Sequence, residues 1–161
     1  MKKFSSMDLK IQKYNEQQNI LRPKISDDIG DNIEKSDVAK FISKLFEARE
    51  MAHVFHLSVN GEIGTYAVHV ALGEFYNNLL ELIDEFTEVY QGQYGLVENF
   101  DIIDTSSAKD RQYIPYFESF FEFIKLNRTN CFDPQDTHLQ NIIDEIVALN
   151  FRLLYKLKFN K

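Results

Sequence analysis

Residues 53–69, HVFHLSVNGEIGTYAVH, hold His53, His56 and His69, three of the four histidines in the chain. Neutral imidazoles spaced so closely suit borderline transition metals such as Fe, Zn or Cu, and anionic oxygen ligands are needed beside them to hold iron. Asp84 and Glu88 supply such a pair, four residues apart and so one turn apart on one helical face. Glu50 and His53 form an E-x-x-H pair of the type found in di-iron bundles. Such a site needs a second E-x-x-H on another helix, and the sequence has none. Glu50 and His53 are therefore candidates for a secondary metal position only, with a structural role for His53 the alternative.

The elements that must carry these residues are helical. From Ser36, a suitable N-cap, apolar residues recur at three- and four-residue steps to about Val59, before the stop signal Asn60-Gly61. A second helix is expected from Thr65 to Gly92 or Gly95, with Val68, Leu72, Phe75, Leu79, Ile83 and Phe86 in its stripe. A connection of crossover length follows, LVENFDIIDTSS. The third helix is expected over 107–128, with Pro115 marking either a kink or the true first turn. Asp133-Pro134 is expected to open the fourth, whose stripe runs from Leu139 to Leu157. No strand pattern competes. The expected fold is an all-α four-helix bundle over residues 36–161, with a long connection between helices 2 and 3 and a polar N-terminal tail over residues 1–35.

This arrangement makes one distance decisive. Asp84 follows His69 by 15 residues on the same helix, or roughly 22 Å at the α-helical rise. A metal–ligand bond is only about 2 Å long. A straight helix cannot bring both ends to one ion, whereas an antiparallel second copy of it can. The spacing therefore predicts two equivalent sites at a two-fold interface, His56 and His69 from one protomer facing Asp84 and Glu88 from its neighbour.

His56, Gly61 five residues on, His69, Tyr76 seven further on, and the pair Asp84-x-x-x-Glu88, taken in that order, resemble the ferroxidase signature of Dps proteins, the miniferritins. The segment DTHLQNIIDEIVALNFRLLYKL, from Asp136, resembles the last helix of that family, and the likeness covers about residues 36–158. It implies a ferritin-like fold, iron sites shared between two-fold related subunits, a hollow dodecamer and ferroxidase activity. Three features depart from the pattern. The Gly61–His69 gap is one residue longer, Leu57 replaces the usual Trp, and the further acidic ligand falls on Gly73. ALGEFY (71–76) and YQGQYG (90–95) are instead similar to small phage-encoded ferritin-like proteins. The missing acid bears on rapid ferroxidase turnover more than on metal binding.

Composition bounds the remaining readings. A chain of 161 residues, 44% hydrophobic, is one domain's worth. The net charge of −7 argues against a general nucleic-acid binder. Residues 1–24 are nonetheless basic, six cationic side chains against two acidic ones. DNA contact through that tail is the less favoured expectation, because the acidic body opposes close approach. The single cysteine, Cys131, expected in a loop, rules out an internal disulfide and suits a reducing compartment. No apolar run is long enough to span a bilayer, so the expected location is cytoplasmic, or a host cytoplasm or virion if phage-encoded. His138 is expected at the surface or capping the fourth helix, and the aromatic run Tyr113–Phe123 in core and interface. The leading expectation is an iron-binding, Dps-like homo-oligomer whose ligand types also suit Zn or Mn. The alternative is a non-catalytic structural or interaction protein, such as a phage virion or host-takeover component, built on the same bundle.

Overall fold

The computed structural model describes residues 35–60 and 64–159. Residues 1–34, which hold the expected tail up to its last residue and the 1–24 segment considered for DNA contact, lie outside the described residues, as does Gly61 of the expected stop signal; Lys35, placed in that tail, instead begins the first helix. Four helices account for most of the remainder: α1 (Lys35–Ser58), α2 (Tyr66–Tyr94), α3 (Tyr113–Cys131) and α4 (Thr137–Phe159). No strand occurs among the described residues, and the fold is the expected all-α four-helix bundle.

Local chemistry sets the ends. Thr65 is extended and its hydroxyl accepts from the Val68 amide at 3.4 Å, capping α2. Gly95, at φ +89°, closes the same helix, its amide donating to the Gln91 carbonyl. The first helix already includes Ser36, so that residue is not its cap. The third helix starts later than its periodicity suggests. A 3-10 turn, Ser106–Asp110, ends at Arg111 in the left-handed region (φ +56°) and breaks the pattern. Pro115 then occupies the first turn of α3, where its missing N–H has no helical acceptor to lose. Asp133-Pro134 makes a turn rather than the first turn of α4. The Asp133 carbonyl accepts from the Asp136 amide and its carboxylate from the Gln135 amide. Cys131 is the last residue of α3 and is buried, not in a loop.

Side-chain contacts give the direction of each helix. The ring of Phe55, near the end of α1, meets Tyr113 and Tyr116 at the start of α3. At the other end, Phe41 packs on Phe86 of α2 and on Phe132 just after α3. Asp136, immediately before α4, accepts from Tyr94 at the end of α2. Helices α2 and α3 therefore run the same way, and α1 and α4 the other way. Parallel α2 and α3 require the chain between them to return along the bundle. Residues 95–112 do so, held by the Asp101 amide on Ser43 Oγ (2.9 Å) and by the burial of Val97.

Around the bundle, α1 packs on α2 and α3, and α4 packs on α2 and α3, so α1 and α4 are diagonal. Phe41, Phe86 and Phe132 fill one end of the interior, and Phe55, Phe75 and Phe117 the other. Each such ring contributes about 1.5–3 kcal/mol relative to an exposed one. Asn150 is a polar residue at the centre of this core: fully buried, it donates to the Phe117 carbonyl at 3.0 Å, while its own Oδ1 has no hydrogen-bond partner among the described residues.

Candidate metal-binding face on helices one and two

The last turn of α1 and the first turns of α2 meet at one end of the bundle, and there His56 and His69 interlock. Their rings stack with 3.7 Å between centroids and 23° between planes. His56 Nδ1 lies 2.8 Å from the His69 carbonyl oxygen, and His69 Nδ1 lies 3.1 Å from the His56 carbonyl oxygen. Only a protonated nitrogen can bond to a carbonyl, so each Nδ1–H donates. The His56 carbonyl belongs to the last turn of α1, where i+4 helical donors run out; it accepts from the Val59 amide at 3.4 Å and from the neighbouring helix's imidazole.

Fixing Nδ1 on a carbonyl leaves Nε2 of a neutral imidazole as the lone-pair nitrogen. This is the orientation in which ligating histidines are usually held. The lone pairs lie in the ring planes, however, and planes tilted by only 23° do not aim two nitrogens at a point about 2 Å away. In this arrangement the pair offers single imidazoles, and joint chelation requires one ring to turn out.

Gly73 explains the tight fit. A Cβ built at this position would lie 3.3 Å from both Cε1 and Nδ1 of His56. The space left by the acid that the Dps resemblance implies is thus occupied by the His56 ring. Glu74, the adjacent acid, is turned away and pairs with Lys156 of α4.

The stack continues along the groove. Tyr76 packs on His53 (4.6 Å) and edge-on to His56 (5.4 Å), and the Arg49 guanidinium lies 5.5 Å from its ring. Arg49 also pairs with Glu50, so Glu50 is committed to a cation rather than to His53. At the other side Tyr66, 82% exposed, stacks beside His69. The sequence named each histidine but not this continuous row. Its signal was the recurrence of Tyr66, His69, Gly73 and Tyr76 at three- and four-residue steps.

Asp84 and Glu88 are exposed on α2, and neither makes an ion pair among the described residues. The helix between His69 and Asp84 is continuous, so the separation of roughly 22 Å stands. By the helical repeat Asp84 lies about 60° around the helix from His69, towards solvent. The structure therefore brings His56, His69, His53 and Tyr76 together and leaves Asp84 and Glu88 at the far end of the same helix. Among the described residues of one chain, no three His, Cys, Asp or Glu side chains are grouped to hold an ion.

A second polar cluster closes the opposite end. Tyr94 and Gln93 donate to Asp136, and His138 Nε2 lies 2.7 Å from Gln93 Oε1. His138 is exposed, as expected, and latches α4 to α2. Burial, then the hydrogen bond to Asp136 and its charge, push the Tyr94 hydroxyl pKa well up. Inside the bundle the Tyr116 hydroxyl donates to Glu47 at 3.0 Å, and burial, more than the Glu47 charge, raises its pKa too.

No helix among the described residues is long and apolar enough to cross a membrane. Residues 61–157 match the model of a family of unknown function, DUF5856. No curated protein and no solved structure matches the chain.

Proposed function

Taking as premise that the chain belongs to the DUF5856 family of unknown function, we propose that it is a Dps-like iron-binding protein whose sites are completed by a second copy. His56 and His69 come from one protomer, and Asp84 and Glu88 from its antiparallel neighbour. The observation that carries the reading is the division of donors along one unbroken helix. Imidazoles with Nδ1 fixed on backbone carbonyls lie at one end, and two exposed carboxylates without partners among the described residues lie at the other. The donor set fits Fe(II), and also Zn or Mn. Fe(II) is cargo in this reading; one imidazole, or both once a ring turns out of the stack, binds and orients it with the neighbour's carboxylates, and an external oxidant such as oxygen or peroxide takes the electron where turnover occurs. Gly73, filled by the His56 ring, weakens the case for fast turnover and leaves binding as the core of the proposal. Fe(II) titration of the wild type against the Asp84→Ala, Glu88→Ala double variant tests it.

The interlock itself favours a second reading. Two imidazoles that stack and bond each other's backbone serve a structural bundle equally well, as a clasp between α1 and α2. Metal analysis of protein purified without chelators separates the two: an iron-, zinc- or manganese-loaded protein supports the first, and a metal-free protein that takes up no added Fe(II) supports the second.

A further inference from the structure

Two seams run along the outer face that α1 and α2 share. On α1 the seam is Phe46, Glu50, His53 and Leu57, spaced by four, three and four residues, the repeat of a helix that packs along one line. None of the four is buried, and Leu57 is 71% exposed. On α2 the seam is His69, Gly73, Leu80 and Asp84, with Leu80 37% exposed.

Each seam is complementary to its own reverse. Reversing α1 about the point between Met51 and Ala52 sets Phe46 against Leu57 and Glu50 against His53, apolar on apolar and carboxylate on imidazole. Reversing α2 about the point between Tyr76 and Asn77 sets His69 against Asp84, and Leu80 over Gly73, which has no side chain. The two points are found separately, and the structure places them level with each other. The Tyr76 ring has the Arg49 guanidinium at 5.5 Å and the His53 ring at 4.6 Å, so the middle of the 49–53 stretch of α1 stands beside residue 76 of α2. One two-fold axis crossing both helices therefore serves both seams. An unrelated partner has no reason to match two reversals at one level. Arg49 engages one oxygen of Glu50, which leaves the other for the partner's His53.

We infer that α1 as well as α2 binds a second copy of this chain, in an isologous two-fold contact that lays Glu50 of each copy on His53 of the other. The contact rests on the antiparallel pairing proposed above and adds to it the α1 residues that set its register. The E-x-x-H pair that occurs once in the chain thereby meets its duplicate across the axis.

Co-expressed full-length Glu50→Cys and His53→Cys chains, distinguished by tag length and kept in chelator, test this; the native thiol, Cys131, is buried. Mild oxidation should link the mixed pair, whose thiols face each other. Either variant alone should link poorly, because its cysteine sits three residues along the helix from its own copy. Adding Leu57→Asp to both chains, which sets a carboxylate against Phe46, should abolish the mixed link while the circular dichroism stays that of the wild type. Absence of the mixed link in folded protein overturns the inference. So does a mixed link no stronger than the homotypic ones, or one that Leu57→Asp leaves unchanged. Fe(II) uptake without the link overturns this contact and leaves the metal reading standing; the link in protein that takes up no Fe(II) supports the contact and removes the metal reading alone.

Discussion

The imidazoles of His56 and His69 lie face to face at 3.7 Å, and each ring donates its Nδ1–H to the other residue's backbone carbonyl. Two side chains thus close the turn between α1 and α2 from both sides. Removing either one breaks the stack and one hydrogen bond, and removing the His56 ring also opens a gap over Gly73. His56→Ala and His69→Ala should each destabilise the fold by about 1–3 kcal/mol, the sum of one lost hydrogen bond and the lost ring packing. The double variant should cost less than the sum of the singles, because each single already breaks the stack. Urea unfolding followed by circular dichroism checks this; strict additivity would contradict the interlock.

Gly73 gives a prediction in the opposite sense. Gly73→Glu restores the acid that the Dps resemblance implies, and its Cβ meets the His56 ring at 3.3 Å. The ring must give by a few tenths of an ångström, so the variant should loosen the His56–His69 stack while gaining a carboxylate beside the imidazoles. Fe(II) affinity should rise by about tenfold, roughly 1.4 kcal/mol, with altered histidine ring signals in the NMR spectrum. Unchanged ring signals would show that His56 is not packed on this residue.

How far the sequence reaches is visible in these same residues. Apolar periodicity was enough to place four helices and the long connection, because each stripe is continuous and a continuous stripe must be buried. Its failures were at ends. The Ser106–Asp110 turn and the Asp133 turn depend on local hydrogen bonds that hydropathy does not record. In the site, the sequence correctly separated His69 from Asp84 by helix rise, yet read Gly73 only as a missing ligand. That a glycine there makes room for an imidazole from another helix is a tertiary fact, and spacing alone does not carry it.

Cys131 links the fold to pH. Burial, more than the Asp37 charge, pushes its thiol pKa from 9.0 up to about 11. A folded-state value above the unfolded one means that stability is fully present below about pH 9 and is lost as pH rises through about 11. The raised hydroxyl pKa values of Tyr90, Tyr94 and Tyr116 act in the same direction at still higher pH. Cys131→Ala should therefore lessen the loss of stability between pH 9 and pH 11, measured by thermal melts across that range. Native Cys131 should also react with iodoacetamide far more slowly at pH 8 than the urea-unfolded chain. Equal alkylation rates would contradict the burial.

Asn150 is fully buried with one orphan oxygen. Asn150→Leu removes that unsatisfied acceptor and supplies apolar contact, so the change should be neutral or stabilising by about 1 kcal/mol. A destabilisation of several kcal/mol in urea unfolding would show that Oδ1 has a partner in solution, such as an ordered water.

The central claim is that the imidazole end of one α2 and the carboxylate end of another share a metal ion. Anaerobic Fe(II) titration by calorimetry on full-length protein, wild type against Asp84→Ala, Glu88→Ala, tests it most directly. The account predicts saturable binding by the wild type, loss of most of it in the double variant, and recovery when that variant is mixed with an equal amount of His56→Ala, His69→Ala protein, since mixed pairs rebuild one intact site. Identical titrations for wild type and double variant, or no recovery on mixing, would contradict it.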